Sequence, residues 1–186
     1  MSSIARFSLS QYARMVETGV FSGELHQRVE FIRGEIRQMN PIGPSHAAVV
    51  NYLATWSIRN TSPEDITCSV QNPIRFLESD SSPQPDIAWL VPKKYPKHPL
   101  PTDVLLLVEV SESSLRLDQG EKAALYAESG IPEYWVADIE GRKLIVFREP
   151  SSDGYRDRRE MAGDDVICPL CDPEARLRVG ELFSKL

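Results

Sequence analysis

Several things are scarce in this 186-residue sequence, and each scarcity removes a class of protein. Cysteine occurs three times, an odd number in a chain long enough to bury a core without staples. That excludes a disulfide scaffold and points to a reducing, cytoplasmic setting. Long apolar runs are missing: the longest, Val104-Leu105-Leu106-Leu107-Val108, is closed by Glu109, far short of the roughly 20 residues a spanning helix needs. Arg6 and Arg14 precede no apolar stretch, so the opening does not read as a secretory signal and no membrane partner is expected. A basic surplus is missing too, since 21 Lys and Arg against 27 Asp and Glu leave a net charge of −6. That argues against a protein living on nonspecific attraction to phosphate backbones, but not against a metal-dependent nuclease, whose site must itself gather carboxylates. The sequence also contains no glycine-rich phosphate loop, no Gly-x-Ser-x-Gly elbow, no internal repeat and no low-complexity segment.

What is present has globular composition, 41% hydrophobic and 26% charged, at a length that suits a single domain over 1–186. Ser8 and Gln11 stand at capping-box spacing, and Leu9, Tyr12, Ala13 and Val16 recur at helical period, which predicts a helix over 9–18 stopped by Gly19. Val29 and Phe31 alternate with Glu30, predicting a hairpin over 28–39 that turns at Arg33-Gly34. After a loop marked by Pro41, Gly43 and Pro44, the stripe Val49, Val50, Leu53, Trp56 predicts a helix over 45–59. Strands are expected over 66–77, 87–91 and 104–110, the last apolar enough to be buried on both faces. Between the last two lies a surface loop with Lys93, Lys94, Lys97 and His98, which is either solvated or in contact with a nucleic-acid backbone. A helix capped by Ser113 or Ser114 runs to Ser129-Gly130. Strands at 134–138 and 143–148 then form a hairpin at Glu140-Gly141, with a further strand at 155–161 and a short end at 177–183. This order predicts an α/β fold, a mixed β-sheet core flanked by α-helices.

The oddity in that plan is Glu109. It interrupts the most apolar strand, where an unpaired carboxylate costs several kcal/mol or is forced neutral, so a cation is expected nearby. On the next helix, at about 100° per residue, Lys122 falls in the middle of the stripe made by Leu115, Leu125 and Tyr126, with Asp118 beside it. Two readings follow: Lys122 faces Glu109 in the core, or Asp118 and Lys122 form an i,i+4 surface pair whose ammonium snorkels to solvent. Pro85-Asp86 opens the preceding strand, so Asp86 is either an ordinary strand start or a second carboxylate that converges with Glu109 on one divalent cation. Hard oxygen ligands suit magnesium or manganese. Cys168 and Cys171 form a CxxC pair, but a zinc site needs four ligands, and the pair reads as incidental. Tyr134 and Trp135 read as core rather than as a base-stacking platform.

Taken in order, Pro85-Asp86, Val108-Glu109-Val110-Ser111, Asp118, Lys122, Tyr126 and Gly130-Ile131-Pro132-Glu133-Tyr134-Trp135-Val136-Ala137-Asp138 closely resemble the Uma2 family. That family is described as "putative restriction endonuclease" and belongs to the PD-(D/E)XK nuclease superfamily. Glu30-Phe31-Ile32-Arg33-Gly34-Glu35-Ile36, Met39, Pro41 and His46 resemble its opening motif, and the likeness runs from about Leu9 to Phe183. The resemblance implies a restriction-endonuclease-like fold in which Asp86 and Glu109 match the two metal-binding acids. The superfamily's lysine two positions later is replaced by Ser111, and Lys122 resembles a migrated substitute one helix on. Glu30 matches an acid placed near the metal, while His46, Ser111 and Asp118 are supporting candidates.

The implied chemistry is hydrolysis of phosphodiester bonds in nucleic acid, DNA before RNA, with Mg2+ or Mn2+ held by Asp86 and Glu109. Lys122 would orient or help deprotonate the attacking water and offset transition-state charge. The alternative is a module on a nuclease fold that binds nucleic acid and cleaves little or not at all, and a third reading is a purely structural ion network. A nuclease cutting both strands is expected to act as a homodimer, with the apolar C-terminal hairpin as the candidate surface.

Overall fold

The structure, a computed structural model, describes residues 4–22, 28–184 and 186. The chain begins with helix α1 (Leu9–Glu17), whose Ser8 and Gln11 form the reciprocal capping box that their spacing predicts. Strands β1 (Val29–Ile32) and β2 (Glu35–Gln38) form a separate hairpin. Arg33 and Gly34 both take left-handed backbone, φ 50° and 80°, as a two-residue turn matched to strand twist requires. Helix α2 (Pro44–Asn60) follows, with Pro44 in its first turn, where the missing N–H costs nothing. Next come β3 (Thr67–Val70), β4 (Ile87–Leu90) and β5 (Val104–Ser111). A helical run of α3 (Leu115–Leu117), a π-helical segment (Asp118–Lys122) and α4 (Ala123–Glu128) leads into β6 (Glu133–Asp138), β7 (Lys143–Ser151) and β8 (Gly154–Ala162). The short β9 (Val166–Ile167), β10 (Leu177–Arg178) and α5 (Val179–Leu182) complete the order.

Six strands make one mixed sheet in the order β3-β4-β5-β6-β7-β8, with β5 and β6 parallel and the other neighbours antiparallel. This is the α/β architecture expected from the sequence, a mixed sheet flanked by helices. Side chains alternate across it. Leu106, Val108 and Val110 of β5 join Trp89, Trp135 and Val146 in a core under α2 and α5. Leu107 points the other way, with Tyr134, Val136 and Ile145, into a second core under α4. The period of two puts Glu109 on this second face, at the edge of a dry core. The β1–β2 hairpin closes over the same edge. It is held by Phe31 stacked on Tyr12 at 4.5 Å, by Arg37 donating to both Glu121 oxygens at 2.6 and 2.9 Å, and by Arg33 paired with Glu128.

Three features depart from the sequence reading. The strand expected over 66–77 stops at Val70, because Gln71 takes left-handed backbone (φ 53°) and Pro73 has no N–H to give a ladder. The helix after Ser114 is not uniformly α-helical, since its middle is the π-helical segment. The apolar residues of the C-terminal hairpin do not face outward: Trp135, Val136, Leu144, Ile145 and Val146 are buried in the two cores. Among the described residues no helix is long and apolar enough to cross a membrane.

Candidate active site

Ile87 stands opposite Val108 in the β4–β5 ladder, so Asp86, one residue earlier, comes opposite Glu109 on the same face. Asp86 is anchored on both oxygens. Oδ1 accepts from Gln71 Nε2 at 2.9 Å, and Oδ2 accepts from the Val110 N–H at 2.8 Å and lies 3.2 Å from His46 Nε2. Gln71 can reach because its left-handed turn also points its own N–H at the Asp86 carbonyl, 3.1 Å away. His46 comes from the first turn of α2, which brings a helix start to the same place.

From the other side the helix supplies Lys122 and Tyr126, one turn apart. Lys122 Nζ lies 3.0 Å from Glu30 Oε2, 3.2 Å from Glu109 Oε1 and 3.8 Å from Asp118 Oδ1. Of the two readings left open by the helix spacing, the core-facing one describes the structure. Lys122 is only 4% exposed, and Asp118 is the farthest of its three partners. Asp118 accepts from Ser114 Oγ at 2.5 Å, beside the Ser111 hydroxyl. The π-helical segment carries both Asp118 and Lys122 buried, and such single turns are frequent at functional sites. Glu30 arrives on β1. Its buried Oε2 sits 3.0 Å from the Lys122 ammonium.

Glu30, His46, Asp86, Glu109, Asp118 and Lys122 line one cleft of about 160 Å³, with Arg28, Gly43 and Glu112 at its wall. Glu30, Glu109 and Asp118 gather there around the buried Lys122 ammonium, with Asp86 across from Glu109. Burial works against the Lys122 charge, but the surrounding Glu109, Glu30 and Asp118 outweigh it and raise its pKa, so the lysine keeps its proton. Burial pushes Glu109 well above the usual carboxylate range. Lys122 pulls it down, and Asp118, Asp86 and Glu30 add to the rise. Burial would raise Asp86 too, but the His46, Gln71 and Val110 hydrogen bonds hold it below its ordinary value. His46 is raised: burial opposes its charge, and the Asp86 carboxylate prevails.

The donor set fits a small divalent cation. Among the described residues no hydrogen bond reaches Glu109 Oε2, so a carboxylate oxygen remains open where negative charge is in surplus. No group of three or more His, Cys, Asp or Glu side chains is arranged as a cage among the described residues. Magnesium does not need one, because it takes one or two carboxylates and keeps several waters.

Every residue singled out in the sequence for this chemistry, namely Glu30, His46, Asp86, Glu109, Ser111, Asp118 and Lys122, lies in this neighbourhood. Two residues that hold the acids were given no chemical role in the sequence reading. Tyr126 donates to Glu109 Oε1 at 2.9 Å, and its place on the Lys122 stripe was a usable signal. Gln71 offers none beyond a Gln-Asn-Pro turn. The lysine-rich loop lies elsewhere, at the end of β4 remote from Asp86, with Lys93 paired to Asp103. Tyr134 and Trp135 are fully buried core.

The family model "Uma2: Putative restriction endonuclease" matches residues 10–180 of this chain. The fold is similar to the crystal structure of a putative nuclease belonging to DUF820 from Anabaena variabilis. That similarity has a TM-score of 0.74 at 16% identity, covering 96% of this chain and 98% of the other. At that identity the likeness is one of fold. No curated protein matches the sequence.

Proposed function

Since the chain belongs to the Uma2 family, we propose that it is a metal-dependent endonuclease hydrolysing phosphodiester bonds in nucleic acid, with DNA as the first substrate to test. The observation that carries this reading is the cross-strand placement of Asp86 against Glu109, in a cleft with more carboxylates than cations. Asp86 and Glu109 would hold Mg2+ or Mn2+, which when bound polarises a phosphodiester oxygen and makes a water acidic enough to attack. Asp86 is held in place by Gln71 and the Val110 N–H and stays ionised as a ligand.

Lys122 serves as a fixed cation rather than a base. Its proton is stabilised by three carboxylates, so it can donate to the attacking water and offset charge on the phosphorane-like transition state. Glu30 helps hold that ammonium in the cleft. Ser111, where the superfamily has lysine, instead belongs to the Ser114–Asp118 group at the base of the helix. The reading treats 1–186 as one domain working in the cytoplasm. Cutting both strands of a duplex would take two such sites, hence a homodimer.

A panel of DNA and RNA substrates, single- and double-stranded, assayed with Mg2+, with Mn2+ and with chelator, tests it. Metal-dependent cleavage that disappears in Asp86→Ala is expected. Tight nucleic-acid binding with no turnover under any condition would replace the enzyme by a binding module.

A further inference from the structure

One oxygen of Glu109 is held twice. Lys122 Nζ lies 3.2 Å from Oε1 and the Tyr126 hydroxyl donates to the same atom at 2.9 Å, while among the described residues no hydrogen bond reaches Oε2. We infer that Tyr126 is a positioning residue for the metal site, fixing the Glu109 carboxylate through Oε1 so that Oε2 is the oxygen turned to the cation. The inference rests on the metal-dependent reading above and assigns within it a role that Lys122 cannot fill. A divalent cation arriving beside an ammonium repels it, and a lysine that serves the attacking water must loosen its hold on the carboxylate. A phenol carries no charge to repel and can keep its bond throughout.

The ring is well placed for this. Tyr126 is fully buried, packed edge-on against Tyr134 (centroids 4.9 Å apart, planes at 76°) and tilted against Phe76 at 5.7 Å. Its hydroxyl therefore has no other orientation to adopt without repacking the core. Hydrogen-bonding partners behind a metal ligand of this kind typically contribute about 10–100-fold in metal affinity.

A buried tyrosine needs an acceptor in any case, so a purely structural hydroxyl is the competing explanation. The protein contains a matched control. Tyr134 is equally buried, lies in the same aromatic cluster, and donates to the Asp118 backbone carbonyl at 3.1 Å without touching Glu109. The experiment compares Mn2+ affinity of the full-length wild type, Tyr126→Phe and Tyr134→Phe by calorimetric titration at one pH. A Tyr126→Phe chain that melts too low for calorimetry is read by the Mn2+ dependence of its Tm, which reports the same affinity. The expected result is binding about 10–100-fold weaker in Tyr126→Phe and unchanged in Tyr134→Phe, whatever the two metal-free melting temperatures are. Wild-type affinity in Tyr126→Phe, or an equal loss in both variants, overturns the inference while leaving the metal reading standing. A wild type that does not bind Mn2+ at all overturns the metal reading and this inference with it.

Discussion

Glu109 in β5 and Glu133 at the start of the neighbouring β6 are both buried carboxylates, 4% and 0% exposed, and they are treated very differently by their surroundings. Glu133 is saturated. Oε1 accepts from Trp135 Nε1 at 2.8 Å and from two nitrogens of Arg148 at 2.8 and 2.5 Å, and Oε2 accepts from the Leu170 N–H at 2.6 Å. Arg148 spends a further donor on the Cys168 carbonyl, so the group fastens the 168–170 segment to the sheet. Glu109 shares its one lysine with Glu30 and Asp118, faces Asp86, and has one oxygen with no donor among the described residues. A carboxylate that is buried and satisfied is architecture. One that is buried among other acids with too few cations costs stability, and a fold keeps it where something else is to bind.

The comparison can be broken at either end. The largest effect is expected at Glu133, where Glu133→Ala strands the Arg148 guanidinium. Denaturant unfolding should show a loss of about 3–5 kcal/mol with Mn2+ affinity unchanged, and a loss of metal binding there would erase the distinction between the two glutamates. Next comes Lys122→Ala, for which cleavage should fall by about 10²-fold or more, while Mn2+ binding is kept or strengthened because a cation leaves the site. A folded Lys122→Ala protein that cleaves at the wild-type rate removes the lysine from the chemistry.

Glu109→Gln should act more gently, and with a sign opposite to that of the Glu133 change. The folded pKa of Glu109 is raised, so its contribution to stability is present below the unfolded value near ~4.3 and is lost as pH rises toward the folded one. Without metal, Glu109→Gln should therefore match wild type in acid and become the more stable protein as pH rises toward 8. A gain of about 1 kcal/mol would appear as roughly 2–4 °C in Tm at this size, and a melting curve that loses stability at every pH contradicts it. The smallest effect belongs to the cysteine pair. Cys168 is half-buried and Cys171 is exposed. Serine at both positions should shift stability by no more than about 0.5 kcal/mol, as surface changes usually do, and bound zinc that is lost with the replacement would show otherwise.

Much of the site was legible because it violates local rules. An acid inside the run Val104–Ser111 and a lysine in the apolar stripe of a helix are conflicts that a sequence displays without help, and each pointed to the other. The sheet was legible for the opposite reason, since apolar runs and turn residues agreed with one another. What could not be read depends on the chain meeting itself. The turn at Gln71 looks like the middle of a strand until its amide is seen on Asp86, fifteen residues on. Tyr126 looks like core, which it is, until its hydroxyl is placed on Glu109. The π-helical segment has no marker in composition, and the apolar residues of the C-terminal hairpin look free until the two cores enclose them.

The central claim is that Asp86 and Glu109 form one metal site, and it is tested most directly by Mn2+ titration of wild type, Asp86→Ala and Glu109→Gln, followed by thermal melting. A ligand bound only by the folded state raises Tm by an amount set by its concentration over its Kd, by about 2.7 kcal/mol of stability at a hundredfold excess over Kd. The account predicts a Tm that climbs with Mn2+ in the wild type and stays flat in both variants. A climb of the same size in all three proteins would contradict it.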